Sequence, residues 1–235
     1  MVRIAAQFNG PAASGNGGYV CGLLAAEHSA DDAIVTATLR QPPPLGVALS
    51  WERHGDTLTL LTGGGAIVGE AAPGSFTSEP PPCPTPDDVA DGLASYRGFD
   101  LHPFDRCFTC GTARDEGDGL RIFSGPIDDV RTAAPWTPHP DFDAGDGQVD
   151  VPVTWAALDC PGGWAADFTA QLMLLGRMTG QVLRRPAVGE ALVSTGQLVE
   201  RDGRKFRTAT ALYTPGGELI GRSEQVWIEV SGPAA

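Results

Sequence analysis

The sequence predicts an α+β protein in which an antiparallel sheet and one central helix occur twice. Three observations lead there. A proline-rich stretch divides the chain, short motifs recur in the same order on either side of it, and each half sets an apolar helix ahead of a run of strand-like segments.

Residues 17–28, GGYVCGLLAAEH, carry Tyr19, Leu23, Leu24 and Ala26 without a proline and predict a helix apolar on most sides. Residues 33–41, 47–53, 57–62 and 66–71 are rich in Val, Thr, Leu and Ile and are bounded by Gly, Pro and Asp. They predict antiparallel strands, with hairpin turns at His54-Gly55-Asp56 and Gly63-Gly64-Gly65. Prolines then crowd residues 79–86, where they offer no amide to a sheet, so this stretch is an extended connector. A short helix follows. Thr85 caps it, Pro86 fits its first turn, Asp87 and Asp88 suit its positive end, Val89, Leu93 and Tyr96 share a face, and Gly98 ends it. In the second half a helix is expected over 153–159 and strands over 172–183, 190–200, 205–213 and 219–230, with further strands at 2–8, 119–123 and 130–136.

The repeated motifs are Leu39-Arg40-Gln41-Pro42, Glu52-Arg53-His54-Gly55 and Gly64-Gly65-Ala66-Ile67-Val68-Gly69. Their counterparts are Leu183-Arg184-Arg185-Pro186, Glu200-Arg201-Asp202-Gly203 and Gly216-Gly217-Glu218-Leu219-Ile220-Gly221. A helix apolar on most sides packs against the apolar face of a sheet, and two such units set edge to edge cover each other's open strands. The expected division is a first module at 1–76, a linker with a short helix and a Cys-x2-Cys loop at 77–118, and a second module at 119–235.

Lys and Arg number 16 against 29 Asp and Glu, a net charge of −13, so nucleic acid and an anionic membrane would both be repelled. No apolar run approaches the roughly 20 residues of a membrane helix. The N-terminus has no sustained apolar core of the kind a secretory signal needs, and a cytoplasmic protein is expected. Five cysteines, an odd number, do not read as a disulfide framework.

The second helix lies within Asp150-Val151-Pro152-Val153-Thr154-Trp155-Ala156-Ala157-Leu158-Asp159. This stretch resembles the hotdog-fold acyl-CoA thioesterases of the phenylacetate-pathway type, whose motif is His-Gly-Gly, five residues with a late Leu, then Ala-Asp or similar. The resemblance implies a double hotdog, two antiparallel sheets each wrapped around a central helix, with the catalytic carboxylate at Asp159. Asp150, Val151 and Pro152 fill the His-Gly-Gly positions of that half. In the first half Asn16-Gly17-Gly18 matches the motif with Asn for His, while Ala25 takes the carboxylate position.

Each half keeps the part the other lacks, which implies one composite site. Asp159 and Asn16 are its candidate catalytic residues, the first as general base or nucleophile and the second as a supporting polar contact. Gly17 and Gly18 would offer backbone amides to the thioester carbonyl. The residues by themselves leave blander readings open: Asp159 as a helix-terminus or surface acid, and Gly17-Gly18 as a plain turn with Ser14 or Asn16 as the helix cap.

Two further clusters stand out. Cys107-x2-Cys110 offers two thiolates to one Zn²⁺, with His102 or Cys83 as further ligands; a redox pair and ordinary loop cysteines are also open. Beyond this structural zinc no cofactor is expected. Residues 184–207 form a basic island in an acidic chain, where Arg184 and Arg185 would meet the phosphates of coenzyme A or serve as solvated surface charge.

The expected function is hydrolysis of acyl-CoA or another thioester. The degraded motif keeps a non-catalytic acyl-CoA or lipid-binding protein as the alternative. Hydration of an enoyl thioester lacks a His–acid pair near the helix, a purely structural partner-binding domain is not excluded, and assembly into a homo-oligomer is left open.

Overall fold

The computed structural model describes residues 1–29 and 32–230. Positions 30 and 31 of the first expected module and 231–235 of the second lie outside them. In chain order the elements are α1 (Gly17–His28), β1 (Val35–Leu39), β2 (Leu49–His54), β3 (Thr57–Thr62), β4 (Ile67–Pro73), α2 (Pro86–Ala94), β5 (Gly125–Pro126), β6 (Arg131–Trp136), α3 (Val151–Ala157), α4 (Cys160–Ala165), β7 (Met173–Val182), β8 (Leu192–Asp202), β9 (Lys205–Tyr213) and β10 (Leu219–Glu229).

Among the described residues the strands form one sheet of ten, in the order β2-β3-β4-β1-β7-β10-β9-β8-β6-β5, and every pairing is antiparallel. From the centre outward the first half runs β1-β4-β3-β2, and the second repeats that order as β7-β10-β9-β8. The halves meet where Val35 of β1 faces Gly180 of β7 and Thr38 faces Arg177, with a Thr36–Thr179 hydroxyl hydrogen bond of 2.8 Å across the seam. The two sheets expected are therefore one continuous sheet. The inner edge strand of each half supplies the ladder partner the other lacks.

Helix α1 is apolar over most of its surface because most of it is covered, with only Ala26 and Glu27 near its end exposed. It buries Val20, Cys21, Leu24 and Ala25 and packs on β1, β3, β4 and α3. The approach to α3 depends on two glycines one turn apart. A Cβ on Gly22 would lie 2.6 Å from Pro152 Cα, and one on Gly18 would lie 2.4 Å from Asp159 Cβ.

The second central helix differs from the expected single span of 153–159. It begins at Val151, breaks after Ala157 and resumes as α4 at Cys160. Pro161 explains the break, since its ring clashes with the carbonyl four residues earlier and it has no N–H to donate. The carbonyls freed at the break are met from the sheet. Gln225 Nε2 donates to Leu158 O at 2.6 Å and to Asp159 O at 3.1 Å, and Thr210 Oγ1 donates to Leu158 O at 2.7 Å.

Helix α2 has the expected cap, with Thr85 and Asp88 bonding each other's backbone amides. It ends at Ala94 rather than at Gly98, and its buried Gly92 packs tightly on β6, where a Cβ would lie 2.3 Å from Ala133 O; Leu93 is exposed. Two expected strands are absent among the described residues. Val2 makes a lone bridge to Leu49 and residues Ala6–Phe8 form a turn of 3-10 helix. Residues 119–123 stay out of the sheet because the amides of Leu120 and Ile122 bond the carbonyls of Phe108 and Thr109, bracing the Cys-x2-Cys loop. No helix among the described residues is long and apolar enough to cross a membrane.

Candidate active site

The start of α1 leaves four backbone amides to be satisfied. Asn16 N–H goes to Phe8 O at 2.8 Å, Tyr19 N–H to Asn16 Oδ1 at 2.8 Å, and Gly18 N–H to Asp159 Oδ2 at 3.0 Å. The Gly17 amide has no partner among the described residues, and Gly17 lines a cavity of about 200 Å³.

Asn16 does two jobs with one side chain. Its oxygen must face the Tyr19 amide, so its Nδ2 is turned to the other side, where it donates to Asp159 Oδ2 at 3.0 Å. The expected supporting contact and the helix cap are thus the same residue. Asp159 reaches this point because the α3–α4 break sets it beside the start of α1. It is buried, and its second oxygen, Oδ1, has no partner among the described residues. Burial pushes the Asp159 carboxyl up to about 7; the Gly18 amide opposes the rise, the neighbouring Cys107 adds to it, and the Asn16 amide opposes it.

The cavity is lined by polar groups, among them Asn16, Gly17, Asp159 and His102, and by apolar side chains, among them Phe168, Met173, Leu175 and Trp227. Arg40 is at its margin, half-exposed and paired with Glu70 at 2.6 Å. Such a site can seat an apolar chain and present a reacting carbonyl to a helix N-terminus and an acid.

Three cysteines also border the cavity. Cys107, Cys110 and Cys160 have sulfurs within 4.8 Å of one another, with Cys107 and Cys160 at 3.6 Å. Hydrogen bonds from Cys110 and Cys160 hold the Cys107 thiol well below the usual range, aided by the amides of Cys110 and Thr109, while burial pushes the other two up. The metal ligands expected with the Cys-x2-Cys pair lie otherwise. His102 is adjacent, but Nδ1 accepts from Phe104 N–H at 2.9 Å and Nε2 donates to Cys110 O at 3.0 Å, so both ring nitrogens are engaged. Cys83 is outside the cluster, its sulfur 3.6 Å from Pro84 O.

Arg184 and Arg185 are also elsewhere. Arg184 grips Glu190 at 2.6 and 3.0 Å and Glu218 at 3.1 Å; Arg185 bonds Asp146 at 2.8 and 3.1 Å and Val149 O at 2.9 Å. Neither lines the cavity. Arg185 lies 3.8 Å from Asp150, at the start of α3, which is the counterpart of the start of α1. There Pro152 stands where Gly18 does and has no N–H, and Ala25 stands where Asp159 does. That second place lacks the counterparts of the Gly18 amide and the Asp159 carboxylate, and the Arg185–Asp150 ion pair lies there.

Three contributors carry little signal in the sequence. Cys160 is 50 positions from Cys110 and belongs to no spacing motif with it. Arg40 belongs to the same repeated motif as Arg184, in the other copy. Gln225 carries no motif, and β-strand alternation gives no hint that it faces a helix break.

The architecture recurs in solved structures of low sequence identity. A conserved protein of unknown function with a hot dog fold from Alicyclobacillus acidocaldarius aligns with a TM-score of 0.61 at 14% identity, over 98% of this chain and 92% of its own. A candidate thioesterase from Novosphingobium aromaticivorans gives 0.60 at 13%, over 98% and 94%. The tesB protein of Mycobacterium avium subspecies paratuberculosis gives 0.58 at 14%, over 94% and 89%. No protein-family model and no curated protein matches the sequence. The chain has the hotdog fold.

Proposed function

We propose that the chain is a thioester hydrolase acting on acyl-CoA or a related acyl thioester in the cavity at the start of α1. The observation that carries this reading is the treatment of Asp159. Asn16 and Gly18 both hold Oδ2 at 3.0 Å, and Oδ1 is left unpartnered beside an apolar-walled cavity. In the proposed step Oδ1 takes a proton from water as the water oxygen attacks the thioester carbonyl. The Gly17 N–H stabilises the oxyanion, and the thiolate leaves and is reprotonated as the acid forms. Gly18, whose amide holds the carboxylate, acts as a positioning residue.

The chain further reads as two fused hotdog modules, 1–76 and 119–235, joined by 77–118. The repeated strand order β1-β4-β3-β2 and β7-β10-β9-β8 supports a duplication in which one site kept its chemistry.

The test is release of free thiol from a panel of acyl-CoA substrates by the wild type and by Asp159→Asn. Loss of about 100- to 10,000-fold in kcat with an unchanged circular dichroism spectrum is expected. Wild-type turnover in Asp159→Asn removes the mechanism. Saturable acyl-CoA binding with no turnover by the wild type selects a non-catalytic binding protein instead.

A further inference from the structure

We propose that Cys107, Cys110 and Cys160 bind one zinc ion whose fourth position opens on the cavity. Zinc bonds thiolate sulfur at about 2.3 Å, so sulfurs at the corners of a tetrahedron lie about 3.8 Å apart. The observed pair at 3.6 Å matches that edge, and all three sulfurs fall within 4.8 Å of one another. They come from two remote segments. Cys107 and Cys110 lie on a tight turn closed by Gly111 N–H to Cys107 O at 2.9 Å, where a Cβ on Gly111 would lie 2.6 Å from that same oxygen. Cys160 arrives from the α3–α4 break.

The turn is fixed against α3 independently of the sulfurs, since Thr109 Oγ1 donates to Ala156 O at 2.9 Å. Tyr96 Oη holds Cys110 O at 2.8 Å from the far side. This preorganisation is what a closed cluster of buried thiols does not need and a ligand set does. All three sulfur-bearing residues border the cavity, which supplies an entry path and room for a water or ligand atom in the fourth place. Soft, all-thiolate donors select zinc over magnesium or calcium. The ion would staple the 102–111 loop to the residue next to Asp159.

The experiment is metal analysis of the full chain purified under reducing conditions without chelators. About one zinc per chain is expected for the wild type, a loss of most of it in Cys160→Ser, and none in the control Cys83→Ser. Cobalt exchanged into the wild type should give intense thiolate-to-metal charge-transfer absorption. That readout stands even if Cys160→Ser does not fold, and neither readout depends on hydrolysis. Wild-type protein that holds no zinc and takes up neither added zinc nor cobalt overturns the site. So does a Cys107–Cys160 disulfide that persists under reducing purification, found by peptide mass analysis.

Discussion

Gly18 donates its backbone N–H to Asp159 Oδ2 at 3.0 Å across 141 positions of sequence. The contact exists because the residue at the second turn position of α1 has no side chain. A Cβ on Gly18 would lie 2.4 Å from Asp159 Cβ and 2.8 Å from Trp155 O, well inside van der Waals contact. Gly18→Ala should therefore separate α1 from α3 at this point. The expected outcome is a destabilisation of about 1–3 kcal/mol, measured by denaturant titration. A loss of hydrolysis larger than the fraction unfolded should accompany it, because the carboxylate is displaced from Asn16 as well.

Gln225 should matter nearly as much, although it never touches the cavity. Its Nε2 donates to the carbonyls of Leu158 and Asp159, while its Oε1 accepts from Thr208 Oγ1 at 2.9 Å and Trp227 Nε1 at 2.8 Å. Gln225→Leu takes one donor from each of these carbonyls, which keep Thr210 Oγ1 and Gly162 N–H, and leaves the buried Trp227 indole without its acceptor, at a cost of about 1–3 kcal/mol. Gln225→Glu does not rescue it, because it keeps the acceptors but sets oxygen against two carbonyls. Thermal unfolding of the two variants checks this; a Gln225→Glu protein as stable as the wild type would contradict the network.

The fold was legible in the sequence where local signals and packing agree. The run 17–28 is apolar on most sides and free of proline, and α1 occupies those positions. The Thr85-Pro86-Asp87-Asp88 signature supplies the cap of α2. What was not legible depends on distant partners. Residues 119–123 have strand-like composition, yet their amides are taken by Phe108 and Thr109 rather than by the sheet. Pro161 marks a helix break in the sequence, but which atoms satisfy that break is decided by Gln225 and Thr210, more than 45 positions on. At the site, Asp159 and Asn16 emerge from a motif split between halves. Cys160 has no motif, because a turn and a helix start bring it to Cys107.

The two copies of the Leu-Arg motif should behave differently on mutation. Arg40 lines the cavity, is itself exposed and pairs with the half-buried Glu70, whereas Arg185 is held by Asp146 and Val149 O away from the cavity. Arg40→Ala is expected to raise KM for acyl-CoA roughly ten-fold, the worth of one hydrogen bond to a charged phosphate, with kcat little changed. Arg185→Ala should leave KM unaltered and lower stability instead. Steady-state kinetics on both variants separate the two, and an equal KM effect from Arg185→Ala would return the coenzyme to the basic island.

The acid limb of stability should contain a contribution from Glu224. This β10 residue ties down the segment after β4, accepting from Thr77 N–H and Oγ1 at 2.9 Å each and from Ser78 N–H and Oγ at 2.7 Å each. Burial works to raise its carboxyl, but these four donors outweigh it and hold the group below the usual Glu range. A carboxyl whose folded value lies below its unfolded value of about 4.3 stabilises the protein fully above that pH. The contribution fades as pH falls through the folded value, because the unfolded chain binds the proton first. Glu224→Gln should thus be less stable than the wild type at neutral pH, with the gap closing in the acid range below about pH 4. Urea unfolding of both proteins over that range is the measurement. A gap that stays constant with pH would mean that the four hydrogen bonds do not favour the charged form.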